Sequence, residues 1–306
     1  MPSTLAVVGV TATGKSSVAL AIARRLGEAE IISVDSMQVY REMDIGTDKP
    51  SAAVRAEVPH HLIDVAEPSE DYSLTMFQAA ARQARADVAA RSRQAVLVGG
   101  TGLYYRAVID DLEIPARYPE TAAALEEELD TTALHRRLVE LDPVAASRME
   151  PTNRRRIVRA LEVTVGGGRP FSSYGPGLSE YPPRDIVQVG LSLSRAEVDC
   201  RIEQRYQRQM EAGFLAEVEA LAARHPPLSR TASQALGYKE LLAHLSGEMS
   251  LEEALTLAIT RTRRFARRQE RWFRRDPRIA WLNADSDTES LADEALSHMA
   301  QHRSPS

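Results

Sequence analysis

The chain has 306 residues, 43% of them apolar and 26% charged, which excludes general disorder and allows one large core or two domains. Its single cysteine, Cys200, excludes a disulfide framework and a zinc cluster and is expected as a small, partly buried thiol in a reducing compartment. Net charge is −5, no apolar stretch could span a bilayer, and the first strand starts too early for a signal or transit peptide, so a cytoplasmic protein without a membrane partner is expected.

From the amino end, Leu5-Ala6-Val7-Val8 reads as a buried strand, and Val18, Ile22 and Leu26 space a helix over 15–26. Between them Gly9-Val10-Thr11-Ala12-Thr13-Gly14-Lys15-Ser16 fits the phosphate-loop pattern G-x-x-x-x-G-K-[ST] at every fixed position. Glycines let backbone N–H groups face phosphate oxygens, and the helix N-terminus adds partial positive charge. Lys15 would supply a point charge and Ser16 a hydroxyl ligand for Mg²⁺, so read alone the loop suggests ATP binding.

A second strand, 31–34, ends in Asp35, where a carboxylate could direct a metal, act as a general base or cap the next turn. Ser36 and Gln38 follow with groups able to read a base edge. His60 and His61 are adjacent, so on a strand they face opposite sides and form no metal pair; one is expected buried and the other exposed. An alanine-rich helix over 73–91 leads to a third strand, 95–98. That strand ends in Gly99-Gly100-Thr101-Gly102-Leu103-Tyr104, without the second aspartate typical of phosphoryl transfer.

The composition then changes. Helical segments near 119–129, 131–141 and 153–165 precede a Gly/Pro-rich loop, and Ile186 to Leu191 reads as a strand returning to the sheet. Helices follow at 195–224, 231–246 and 251–275, then an apolar run at 279–282. The fold expected is α/β: a P-loop NTPase-like parallel sheet core over 1–114 and 185–306, with an inserted helical domain at 115–184 and a helical C-terminal part. Arg201, Arg205 and Arg208 share one helix face, and for Arg201 and Arg208 a solvated face is expected. In the arginine-rich helix, Phe265 and Trp272 are expected to pack inward and the arginines between them to meet phosphates.

Several blocks together resemble the bacterial tRNA dimethylallyltransferase (tRNA isopentenyltransferase) family. They are the loop Gly9–Ser16, Ile31 through Tyr40, Met43 through Pro50, Val58 through Asp64, Val98 through Tyr104, Arg156 through Glu162, Arg201 through Arg205, Leu236 through Glu240, and Arg267 through Phe273, in family order. The resemblance implies transfer of a dimethylallyl group from dimethylallyl diphosphate to the exocyclic amine of the adenosine 3′-adjacent to the tRNA anticodon, with Mg²⁺. The phosphate loop would then hold a leaving group. It also implies that Thr11 and Arg205 bind the donor, the second as a bidentate clamp, and that Asp35 receives the acceptor amine. Residues Asp35, Ser36, Met37, Gln38, Thr101, Arg155, Arg156, Ile157, Val158, Arg159, Gln234, Ala235, Leu236, Gly237, Tyr238 and Lys239 match its tRNA-contacting positions.

A monomer acting on the anticodon stem-loop is expected. Val10 stands where proline is usual, Thr13 where serine is common, and Gln234 where a charged or polar residue is typical. The competing readings are a nucleotide kinase or NTPase, a prenyltransferase for free adenine nucleotides, and an RNA-binding module. None of them uses Lys15, Ser16, Asp35 and the arginine-rich helix together.

Overall fold

The computed structural model describes residues 4–175, 177, 178 and 180–303. Six parallel strands form one sheet: β1 (Thr4–Gly9), β2 (Ala29–Ser33), β3 (His60–His61), β4 (Gln94–Gly99), β5 (Ile186–Ser192) and β6 (Ile279–Asn283). Their spatial order is β3-β2-β4-β1-β5-β6. Leu5 lies opposite Val96 on one side and Val187 on the other, and Val7 opposite Val98 and Val189. Both faces are covered, which is why these strands read as unbroken apolar runs.

The helices of the first hundred residues are α1 (Lys15–Leu26), α2 (Ala52–Glu57), α3 (Leu74–Ala90) and α4 (Gly102–Asp110). Next come α5 (Pro119–Glu127), α6 (Thr131–Leu141), α7 (Pro143–Ser147) and α8 (Arg154–Gly167). The remainder contains α9 (Arg195–Glu211), α10 (Phe214–Ala222), α11 (Arg230–Ser233), α12 (Tyr238–Leu245), α13 (Leu251–Phe273) and α14 (Thr288–Arg303). On one sheet face Leu5, Val7, Ile31 and Val96 pack with Val18 and Ile22 of α1 and Leu291 and Ala295 of α14. The opposite face carries the larger core, where Ala6, Val8, Ile32 and Leu97 meet Phe77, Tyr105, Ile202, Phe214, Tyr238, Ala266 and Phe273.

The chain divides into two compact units, one made of residues 1–109 and 183–306, the other of Asp110–Pro182. The second has its own core of Leu125, Leu134, Leu138, Ile157, Ala160 and Leu161. Ile109 and Ile186, where the chain leaves and rejoins the sheet unit, line one cavity of that unit.

Four local features differ from the sequence reading. The helix expected over 195–224 breaks at Gly213, whose φ of 96° starts α10 in a new direction. Likewise 231–246 splits into α11 and α12 at Gly237, with φ of 87°. His60 and His61 are both half-buried, because β3 is a two-residue edge strand: His61 Nε2 lies 2.5 Å from Glu30, and His60 Nδ1 lies 2.6 Å from the Val58 carbonyl. Cys200 is exposed on α9, beside Gln204. Among the described residues no helix is long and apolar enough to cross a membrane.

Candidate active site

Strand β1 lies centrally in the sheet, and its carboxyl end delivers the phosphate loop between the ends of β4 and β5. Close backbone approach explains two glycines. A Cβ on Gly9 would stand 2.7 Å from the Leu191 carbonyl oxygen, and one on Gly99 would stand 2.1 Å from that of Val34. Gly14 adopts a left-handed conformation at the start of α1, and no side chain caps that helix, so its first N–H groups stay available to an anion. Inside the loop, Thr13 Oγ1 and Lys15 Nζ both donate to the Val10 carbonyl, at 2.8 and 2.6 Å. Ser16 is exposed. Burial pushes the Lys15 ammonium down to about 8; Asp35 and Asp48 oppose that shift and Arg205 adds to it.

Thr11 is fixed from two sides. Its N–H donates to Gln269 Oε1 of α13 at 2.9 Å, and its hydroxyl accepts from Arg205 Nη1 of α9 at 3.1 Å. Arg205 also donates through Nη2 to the Gly46 carbonyl at 3.0 Å and approaches Asp48 at 3.5 Å. The loop around Gly46 is itself held by one carboxylate. Glu217 of α10 accepts from the N–H groups of Asp44, Ile45 and Gly46 at 3.0, 2.7 and 3.2 Å, and from the Tyr238 hydroxyl at 2.6 Å. Gln209 donates to the Ile45 carbonyl at 2.8 Å. Asp44, Asp48, Lys49, Arg205, Arg208 and Gln209 border an open cavity of about 320 Å³. Arg208, read from sequence as a solvated residue, therefore faces a cavity next to the clamp, whereas Arg201 is tied to Glu197.

Two residues beyond β2, Asp35 Oδ1 accepts from the N–H of Met37 at 2.8 Å and of Gln38 at 3.3 Å. The carboxylate thus does cap its own turn, but with one oxygen. Among the described residues Oδ2 makes no hydrogen bond, which leaves an acceptor for another molecule. Thr101 Oγ1 accepts from the Ser36 N–H at 3.4 Å, and Gln38 is pinned by Ser33 and the Thr47 carbonyl. Tyr104 packs edge-on against Phe77, and burial, assisted by Tyr40, Tyr72 and Asp35, drives its phenol up to about 12.

The phosphate loop, Asp35 to Gln38, Thr101 and Arg205 all belong to the sheet unit, and the effect of Asp35 and Arg205 on Lys15 marks them as near neighbours. Arg155 to Arg159 belong to the second unit, on α8. There Arg155 and Arg156 are exposed, and Arg159 is engaged with Glu162 and the Pro115 carbonyl. Ile157 and Val158 are buried in that unit's core, so a contact there would run through the backbone. Ala235 and Tyr238 are likewise buried, both in the main core, and Phe214 packs close to Gly237. Gln234 and Lys239 remain on the surface, joined by a 2.7 Å hydrogen bond, with Leu236 half-buried between them.

Helix α13 also sorts differently from its sequence. Arg261 pairs with buried Glu240 at 2.5 Å, Arg263 with Glu203 at 2.8 Å and Arg267 with Asp199 at 2.9 Å, so acids of α9 and α12 neutralise these three. Arg264, Arg268, Arg271 and Arg275 are exposed and have no acidic partner among the described residues. Spaced by four, three and four, they form one stripe opposite the buried face of Thr262, Ala266, Gln269 and Phe273. Trp272 packs on Gly102, and Phe265 is half-buried.

Gln269, Glu217 and Gln209 carry the site's framework, and sequence reasoning gave them no role. For Gln269 the signal was a polar residue, like Thr262, on a mainly apolar helix stripe.

Fold and site together define a P-loop-type α/β transferase. Comparison with known proteins resolves it further. The family described as IPP transferase matches residues 38–276, and the one described as isopentenyl transferase matches residues 2–60. A protein named tRNA dimethylallyltransferase from Kineococcus radiotolerans is 48% identical over 295 residues, 94% of this chain and 92% of that one. Another of the same name, from Thermobifida fusca, is 48% identical over 310 residues, 99% and 96% of the two chains. Among solved structures, the tRNA isopentenylpyrophosphate transferase of Bacillus halodurans superposes with a TM-score of 0.73 at 36% identity, covering 99% of this chain and 97% of its own. A eukaryotic dimethylallyltransferase acting on tRNA gives 0.79 at 26% identity, covering 98% and 78%. The chain belongs to the IPP transferase family of tRNA prenyltransferases.

Proposed function

We propose that this enzyme transfers the dimethylallyl group of dimethylallyl diphosphate to the exocyclic amine of the adenosine 3′-adjacent to the anticodon of tRNA. The observation that carries the reading is the pairing of an uncapped phosphate loop, clamped at Thr11 by Arg205, with an aspartate that keeps one oxygen unengaged. In the reaction the amine nitrogen forms a bond to the allylic carbon, and the carbon–oxygen bond breaks with its electron pair going to the diphosphate. Loop N–H groups, Lys15 and Arg205 take up the charge that develops on the leaving oxygens. Asp35 Oδ2 orients the amine, whose lone pair is delocalised into the ring, and receives its proton.

Ser16, exposed near the start of α1, would offer its hydroxyl to Mg²⁺. The described residues contain no cluster of three acids, histidines or cysteines that could bind a metal, so diphosphate oxygens would complete an all-oxygen set suited to this hard cation. When bound, the ion supplies charge neutralisation for the leaving diphosphate.

The exposed arginine stripe at α13 would offer guanidinium groups to anticodon stem-loop phosphates, as would the exposed Arg155 and Arg156 of the second unit, and Asp35 to Gln38 and Thr101 would meet a base that leaves the stack. We take the enzyme to act as a monomer in the cytoplasm, where its tRNA substrate is made and used.

The test is to incubate the protein with unmodified anticodon stem-loop RNA, dimethylallyl diphosphate and Mg²⁺, and to follow pyrophosphate and RNA mass together. The expected result is one pyrophosphate per prenylated adenosine. Prenylation of free AMP but not of RNA, or ATP hydrolysis with neither product, would overturn the reading.

A further inference from the structure

The phosphate loop and the 99–102 loop leave neighbouring strands, β1 and β4, and beyond the strand ends one side chain bonds to both. Gln269 is 6% exposed, on the buried face of α13. Its Oε1 accepts the Thr11 N–H at 2.9 Å, and its Nε2 donates to the Gly100 carbonyl at 2.8 Å. Only this orientation of the carboxamide satisfies both partners, since the flipped one sets N–H against N–H and oxygen against oxygen. The fit is tight at Gly100, where a Cβ would lie 2.4 Å from Gln269 Nε2. On one side, Thr11 is the loop residue whose hydroxyl receives Arg205. On the other, Gly100 precedes Thr101, whose hydroxyl receives the Ser36 N–H next to Asp35. A continuous chain of hydrogen bonds and covalent links therefore runs Arg205–Thr11–Gln269–Gly100–Thr101–Ser36–Asp35.

We infer that Gln269 is a positioning residue that fixes the separation between the leaving-group loop and the acceptor carboxylate, an inference that rests on the transfer reaction proposed above. A displacement reaction is sensitive to that separation. The attacking amine and the departing oxygen must lie on opposite sides of one carbon, and misplacement by about 1 Å costs on the order of a hundredfold in rate. Thr13 and Lys15 stiffen the phosphate loop through the Val10 carbonyl, but the Thr11 N–H and the Gly100 carbonyl both bond to α13 instead of within their own loops. Trp272 also packs on Gly102 from the same helix, whereas the hydrogen bonds of Gln269 reach both loops. Because α13 carries the exposed arginine stripe on its far face, the residue also links the RNA-facing helix to the donor loop.

The test uses Gln269→Leu and Gln269→Glu in the full chain. The leucine variant removes both hydrogen bonds at similar volume. The glutamate variant keeps the acceptor for Thr11 and sets an oxygen against the Gly100 carbonyl. Expected for both is a fall in kcat of about thirtyfold or more, with Kd for pyrophosphate and for the stem-loop RNA each within about threefold of the parent. Hydrogen exchange should speed up in loops 9–13 and 99–102 together.

A kcat within threefold of the parent would overturn the inference. So would loss of pyrophosphate affinity in parallel with kcat, or exchange that changes in one loop only. If the leucine variant does not fold, the glutamate variant decides by the same criteria. Failure of the parent itself to prenylate RNA would refute the proposed reaction, while the exchange data would still judge the tether.

Discussion

Glu217 offers the sharpest test of how the donor clamp is built. Its carboxylate takes four donors, three backbone N–H groups of residues 44–46 and the Tyr238 hydroxyl, and so holds the loop whose Gly46 carbonyl receives Arg205. Replacing it with glutamine keeps shape and volume but turns one oxygen into an NH₂ group. With the NH₂ on the Oε1 side the Tyr238 hydroxyl can turn to accept, so one contact, the Gly46 N–H, becomes donor against donor. A hydrogen bond to a charged acceptor is worth about 1.5–3 kcal/mol, so that loss, with the other bonds weakened by removal of the charge, costs about 2–4 kcal/mol before solvent is considered. Asp44 is exposed and water can reach that side of the loop, which reduces the expected cost to about 1–3 kcal/mol. The assay pairs urea unfolding with donor affinity: the midpoint should fall with an unchanged slope, and Kd for dimethylallyl diphosphate should rise by at least tenfold as Arg205 loses its anchor. Stability within 0.5 kcal/mol of the parent, or loss of stability with unchanged donor affinity, would refute the reasoning.

Three further outcomes follow from the same structure. Burial lowers Lys15 to about 8, so the free enzyme loses that charge above pH 8; affinity for an inert diphosphate ester should weaken about tenfold per pH unit there, with proton uptake on binding by calorimetry, and a flat profile to pH 9.5 would contradict it. Replacing Arg264, Arg268, Arg271 and Arg275 by glutamine should weaken stem-loop binding and flatten its salt dependence, at about 0.7 in slope per phosphate contact, by up to about 3; an unchanged slope would place the RNA elsewhere. At Glu30, burial alone would raise the carboxyl, but hydrogen bonds from Arg91, His61 and Arg93 outweigh it and bring it down to about 2. A carboxylate lowered on folding stabilises fully above its unfolded value near 4.5, and the gain, about 3 kcal/mol, disappears as pH falls towards 2. Glu30→Gln should therefore cost stability at pH 7 and much less at pH 2.5, by thermal melting; an equal cost at both would contradict the assignment.

The phosphate loop and Asp35 stand out in the sequence because each obeys a local rule, a fixed motif and a carboxylate at a strand's end; Arg205 stands out only through the family resemblance, since a basic residue on a helix face otherwise reads as solvated. The parallel strands were legible for a similar reason, since burial on both faces leaves continuous apolar runs at Leu5–Val8 and Val96–Val98. Helix breaks at Gly213 and Gly237 were hidden, because a glycine in a helical pattern signals a turn only when its φ is known. Glu217, Gln209 and Gln269 were hidden too. Each lies far along the chain from the loop it supports, and a polar residue on an amphipathic helix looks like ordinary variation until its partners are seen. The α13 arginines were over-read for the converse reason: the acids that neutralise three of them are on α9 and α12.

The place of β5 has a consequence for synthesis of the chain. Strands β1 to β4 are complete once residue 99 has been made, yet β1 then has an unpaired side, because its second neighbour begins at Ile186. A nascent chain must carry that apolar parallel edge through translation of the whole Asp110–Pro182 unit. The loop is unfinished for the same interval, since the wall behind Gly9 is the Leu191 backbone. Ribosome-bound fragments ending near residue 180 are therefore expected to recruit chaperones and to bind no diphosphate, and those extending past β5 to lose the first property.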